Sequence, residues 1–166
     1  MARRSSVNYL DRLYASLPYL LPITAAVGFG AFLFLQFPPL VFAFIPIFSV
    51  NQILSISIID FISIRFVVWF CVFIFVVRSY KVNHFTRFNA MQALLLDIIV
   101  ALVGAVVQLL EIILGRLAFF PFMLQIIASV TFLGITAAFL YSVFQCVRGK
   151  YAEMPVISDV AYYQVR

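Results

Sequence analysis

Residues 89–110 read NAMQALLLDIIVALVGAVVQLL, and this stretch decides the class of fold. At 1.5 Å per residue a helix of this length reaches across the roughly 30 Å of a bilayer's hydrocarbon core. It carries a single carboxylate, Asp97, in an otherwise uncharged run. Comparable apolar runs lie on either side of it, over 17–37, 60–77 and 122–147. The whole chain agrees: of 166 residues 66% are hydrophobic and 10% charged, and the mean hydropathy is +1.15. A water-soluble domain of this length lacks the interior to hide so much apolar surface. The expected fold is all-α: one polytopic membrane domain over 1–166, a bundle of four transmembrane helices.

The connecting segments differ in character. Over 5–16, Val7, Leu10, Leu13 and Tyr14 recur at helical spacing while Asp11 and Arg12 are polar, which predicts an N-terminal amphipathic helix lying in the interface. Segment 38–53 is apolar but interrupted by Pro38, Pro39 and Pro46, so it reads as interfacial or re-entrant. Residues 148–166 form a short polar C-terminal tail. The start, MARRSSVNYLDRLYASLPYLLP, has a basic region before an apolar one, as a signal peptide does, but prolines interrupt it and no cleavage site follows, so it is expected to be retained.

Positive charge sets the topology, because cytoplasmic loops carry the Lys and Arg excess. Arg3, Arg4 and Arg12 precede the first span, Arg78, Lys81 and Arg87 separate the second from the third, and Arg148, Lys150 and Arg166 follow the fourth. Only Arg116 falls on the other face, so both termini are expected inside. The pI near 9.5 therefore reflects cations flanking apolar runs, and no nucleic-acid partner is expected.

The third span has a distinct face. Ala90, Ala93, Asp97, Ala101, Gly104, Gln108 and Glu111 follow one another every three or four residues, which aligns them along one side of a helix. Small residues allow close helix approach and polar ones hydrogen-bond between helices, so packing is the simpler reading. The sharper one makes Asp97, Gly104, Gln108 and Glu111 a polar face or translocation path. A second stripe on the fourth span, Thr131, Gly134, Ala138, Tyr141 and Gln145, is expected to meet the first, with Gly134, Ala138, Tyr141 and Gln145 serving helix packing. Arg65, the one cation inside a span, can snorkel to the outer surface, pair with Asp60, or reach Asp97. Snorkelling is the expectation.

Reactive groupings are absent. His84 is the single histidine, Cys71 and Cys146 have no metal-binding spacing, and Asp97 and Glu111 lie roughly 21 Å apart along the helix. No enzyme, metal or cofactor is expected.

Three blocks carry a family resemblance: DRLYASLPYLLP near the N-terminus, VVRSYKVNHFTRFNAMQALLLDI from the second loop into the third span, and YSVFQCVRGKYAEMPVISDVAYYQVR at the end. They resemble the small membrane subunit of the Tic translocon, the protein-import machinery of the chloroplast inner envelope, and its cyanobacterial and plastid-encoded relatives. The resemblance covers essentially the whole chain; segment 38–77, with Asp60, Arg65 and Trp69, matches loosely. It implies a multi-pass protein of the plastid inner envelope or cyanobacterial plasma membrane with both ends on the stromal or cytoplasmic side. It further implies other translocon subunits as partners, homo- or hetero-oligomers, and precursor proteins in transit. The block HFTRFNAMQ offers His84, Arg87, Asn89 and Gln92 as partner or lipid contacts; Arg78, Lys81 and Arg87 suit anionic head groups, and Asn89 suits a helix cap. Tail residues Tyr151, Tyr162 and Tyr163 read as an interfacial anchor or a partner contact. The alternatives are a structural accessory subunit of a larger membrane complex and a small-solute channel or transporter.

Overall fold

The computed structural model describes residues 8–59 and 62–165. Its elements run α1 (Tyr9–Gln36), α2 (Pro39–Leu54), a short antiparallel pair β1 (Ser57–Ile59) and β2 (Ile62–Ser63), then α3 (Ile64–Val77), α4 (His84–Leu114), α5 (Phe120–Val147) and α6 (Ile157–Val165). Three helices, α1, α4 and α5, are long and apolar enough to cross a membrane. The two shorter ones fall short of a full hydrocarbon core each: α2 extends about 24 Å at 1.5 Å per residue, and α3, π-helical over Val72–Val77, at most about 21 Å.

Local sequence explains the boundaries. Helix α1 opens on a capping box in which the Asn8 side chain accepts from the Tyr9 amide (2.7 Å) and Asp11 accepts from the Asn8 amide (3.1 Å). The amphipathic segment expected to lie apart continues unbroken into the first span, tightening to 3₁₀ geometry at Leu17–Tyr19, beside Pro18, and at Val27–Gly30. Proline supplies no amide hydrogen, so the ladder is weakened there without the helix ending. Helix α4 starts earlier than the apolar pattern suggested, because Asn83 rather than Asn89 caps it, accepting from the Phe85 amide. Helix α5 ends in a Schellman turn: Gly149 takes φ +70°, its amide donates to the Cys146 carbonyl, and the Lys150 amide donates to Gln145.

The first half of α4 is the centre of the molecule. Phe85, Phe88, Ala90, Ala93 and Leu94 are buried beneath α1, α3, α5 and α6. Helix α5 lies against α1 through Phe132, Ile135 and Cys146, and the bare Cα of Gly30 admits the rings of Phe34 and Phe132, where a Cβ would sit 2.7–2.9 Å from ring carbons. The expected meeting of the stripes on α4 and α5 is missed at Gly134 and Tyr141, which are exposed, while Ala138 is half-buried against the cluster that holds Ala93; the α5 surface packed on α1 is mostly apolar, with Ser142 buried among its residues.

Candidate functional site

Three hydrogen bonds bring the start of α1, the loop before α4 and the segment after α5 together. Arg12 of α1 donates from Nη1 to the Val147 carbonyl at the end of α5 (3.1 Å), Asn83 before α4 donates to Asp11 of α1 (3.4 Å), and His84 shares a hydrogen bond with Tyr151 of the tail (3.1 Å). This basic end therefore gathers the start of α1, the loop before α4, the end of α5 and the tail. The tail is not a free extension. Helix α6 lies along the first turns of α4, where Gln92 donates to the Ala152 carbonyl and accepts from Ser158 (3.1 Å). Phe88 packs between Tyr151 and Tyr162, with ring centroids 5.2 and 4.4 Å away, and Tyr162 donates to the Glu153 carboxylate (3.0 Å). Burial raises the phenol pKa of Tyr151; burial and then the Glu153 carboxylate push that of Tyr162 up to about 12.

This arrangement alters the reading of the HFTRFNAMQ block. Asn89 and Gln92, expected as partner or lipid contacts, are wholly buried by the chain's own residues: Asn89 accepts from Tyr19 (3.2 Å) and donates to the Phe85 carbonyl (2.9 Å), while Gln92 ties down the tail. Buried amides need partners of this kind. His84 is exposed, and half-buried Arg87 donates to the Val77 carbonyl (2.9 Å) with its guanidinium over the Tyr80 ring. Tyr163, grouped with Tyr151 and Tyr162 in the sequence reading, is largely exposed.

Arg65 overturns the snorkelling expectation. Its Nη1 donates to Asp97 Oδ1 of α4 (3.2 Å) and to the Leu21 carbonyl of α1 (2.9 Å), and its Nη2 donates to Thr24 Oγ1 (2.9 Å) and Asn51 Oδ1 (3.1 Å). The two side chains are only 21% and 11% exposed. Four helices thus converge on one guanidinium, at the point where α2 gives way to α3. The physical reason is the planar fork of donors: a cation held from four sides at depth is served better by a carboxylate, a carbonyl and two side-chain oxygens than by stretching to the surface. Asp60, the other partner weighed for Arg65, lies outside the described residues.

Beside this cluster opens a groove of about 410 Å³, lined by Ala25 and Phe29 of α1, Arg65, and Asp97, Ala101, Gly104 and Gln108 of α4. The expected α4 face is therefore brought together except at its end. Asp97, Gly104 and Gln108 line the groove, Glu111 stands exposed beyond it, and the facing wall comes from α1 and α3 rather than from the stripe of Gly134, Ala138, Tyr141 and Gln145. On α5 that stripe is partly used locally, Gln145 donating to the Tyr141 hydroxyl (3.2 Å) and Tyr141 to the Glu153 carbonyl (3.1 Å). Among the described residues no group of three or more His, Cys, Asp or Glu is placed to hold a metal ion. The sequence signal missed was Asn51 and Thr24: each is an ordinary polar residue in an apolar run, with no periodic partner to mark it.

Residues 3–161 match the family model described as "Chloroplast import apparatus Tic20-like". A Synechocystis sp. protein called "Tic20 family protein" is 36% identical over 167 residues, covering 100% of this chain and 99% of that protein. The Arabidopsis thaliana "Protein TIC 20-II, chloroplastic" is 30% identical over 93% of this chain and 72% of its own length. The Pyropia yezoensis "Tic20 family protein Ycf60" is 29% identical, covering 93% of this chain and 75% of that protein.

Proposed function

The chain belongs to the Tic20 family, and on that premise we propose that it is a membrane subunit of a protein translocon whose polar groove along α4 contacts polypeptide in transit. The observation that carries this reading is the convergence of Arg65, Asp97, Gly104 and Gln108 on one groove at membrane depth. Intramembrane ionisable groups are costly and characteristically mark a transport path or a buried pair, and here the pair borders open space.

The topology proposed is four crossings, the second made in two pieces by α2 and α3 in series, with their junction held at Arg65. Irregular backbone between them is tolerated at membrane depth where protein or a cavity adjoins it. Gathering of both ends of the chain with the basic loop at one pole supports an even number of crossings. The positive-inside rule then orients that pole to the stromal or cytoplasmic side. The groove is closed toward the basic pole by the Arg65 cluster and the packed start of α4, and it opens toward the other. His84 and Arg87 are the members of the basic block that present surface to a partner.

A photo-crosslinking residue at Gln108, with Val107 as control, tests the path in a membrane where a precursor is trapped half-way across. Adducts with the precursor from Gln108 alone are expected. The second reading is an accessory subunit, in which the uncovered faces of α4 and α5, with Leu102, Ile113, Val130 and Leu140, pack against other membrane helices rather than lipid. Adducts only with membrane neighbours, together with unimpaired precursor movement after depletion, would select it over the path.

A further inference from the structure

A second groove, of about 570 Å³, lies between α1, the end of α2 and α3, apart from the Arg65 cluster. Its walls are aliphatic: Leu17 and Leu21 from α1, Leu54 from α2, and Val68, Val72 and Val76, which stand four residues apart on one face of α3. Its polar side chains, Asp11, Tyr14, Lys81, Asn83 and Thr86, come from the start of α1, the loop before α4 and the first turn of α4, and so lie at the basic pole.

Most of this polar end is already engaged. The Asp11 carboxylate accepts from the Asn8 amide and the Asn83 side chain, and Thr86 donates to the Asp11 carbonyl (3.3 Å). Lys81 is different: it is exposed, and among the described residues it makes no ion pair. Arg78 stands three residues before it, also exposed.

We propose that this groove holds an acyl chain of an anionic phospholipid whose phosphate sits at Lys81. The volume falls within the roughly 300–1,000 Å³ of ordinary ligand cavities. An acyl chain suits the aliphatic walls because it brings no hydrogen-bonding groups. An extended peptide would bring backbone amides and carbonyls that the walls of Leu and Val cannot meet at membrane depth. Charge complementarity favours an anionic head group. The Asp11 carboxylate is already held by the Asn8 amide and the Asn83 side chain, so Lys81, with exposed Arg78 three residues before it, leaves an excess of positive charge at this end. That excess suits a phosphate with no ammonium of its own, at the edge that the proposed topology places on the stromal or cytoplasmic side.

The test reconstitutes the full chain in phosphatidylcholine vesicles carrying a minority of phosphatidylglycerol with a photoreactive group near the end of one acyl chain. Adducts on Val68, Val72 or Leu54 are expected. Filling the groove with Val72→Trp, or from the opposite wall with Leu17→Phe, is expected to abolish them while labelling of the exposed α5 face persists. Lys81→Gln is expected to lower groove labelling about fivefold, the effect of about one cationic contact at a membrane surface. Equal labelling by a photoreactive phosphatidylcholine would overturn the assignment of an anionic head group. Labelling spread evenly over α3 and α5 and indifferent to both fillers would overturn the site. So would a protein adduct formed in native membranes from a photoreactive residue at Val72.

Discussion

The two halves of α4 follow different rules although one sequence pattern runs through both. From Phe85 to Val100 the helix is wrapped by α1, α3, α5 and α6, and its amides, Asn89 and Gln92, are satisfied inside the chain. From Leu102 to Ile113 it is open, with Ile112 83% exposed, and its polar residues are exposed, Gln108 on the groove and Glu111 beyond it. Asp97 stands at the boundary, held by Arg65. A periodic stripe therefore does not have one meaning along its length: near the basic pole it fastens the fold, and beyond Asp97 it borders a groove.

The boundary itself should give the largest effect. Arg65→Leu leaves the Asp97 carboxylate buried without its cation and is expected to cost about 3–5 kcal/mol, read as loss of thermal stability in detergent. Adding Asp97→Leu to that variant should return most of the loss, and Asp97→Asn alone should be milder than Arg65→Leu. Stability unchanged in Arg65→Leu would mean that the pair does not hold the helices together.

Within the closed half, Gln92→Leu strands the Ala152 carbonyl and the Ser158 hydroxyl, at about 1–3 kcal/mol. Protease cleavage between Lys150 and Pro155 should accelerate in that variant, whereas Gln108→Leu in the open half should leave the rate alone. Gly149→Ala forces a side chain into left-handed backbone, and its Cβ meets the Arg12 guanidinium at 3.2 Å. That variant is expected to lose about 1–2 kcal/mol and to loosen the same tail.

Alkali probes the clasp differently. Tyr162 has a folded pKa of about 12, above its ordinary value near 10, so the proton it holds stabilises the folded tail fully below about pH 10. That contribution fades as pH rises toward 12, and Tyr162→Phe should flatten the fall in tail protection over this window. The smallest effect belongs to the open face of α5. A Cβ at Gly134 meets nothing within 4 Å, so Gly134→Ala should be neutral or stabilise by up to about 1 kcal/mol. A clear loss of an oligomer in that variant, seen by crosslinking, would show that another chain covers this face.

Much of this division was legible in the sequence. Spans 89–110 and 122–147 announce themselves by unbroken hydropathy, and the α4 stripe by its 3.6-residue period, which places Asp97, Gly104 and Gln108 on one side. What no period reveals is which neighbour a stripe faces. The choice of α1 and α3 over α5 depends on Arg65, Thr24 and Asn51, which lie far apart in the chain and meet only through tertiary packing. The docking of the tail is hidden for a related reason: Ser158 and the aromatic rings of Tyr151 and Tyr162 match groups on α4 that no local rule connects to them.

The most direct measurement is thiol accessibility in sealed vesicles of known orientation, with Cys71 and Cys146 replaced by alanine. Gly104→Cys and Gln108→Cys should react with a membrane-impermeant maleimide added on the side opposite the termini, and Ala93→Cys should react from neither side. Labelling of Gly104→Cys from the side of the termini, or protection of both groove cysteines from each side, would contradict a groove closed at Arg65 and open beyond it.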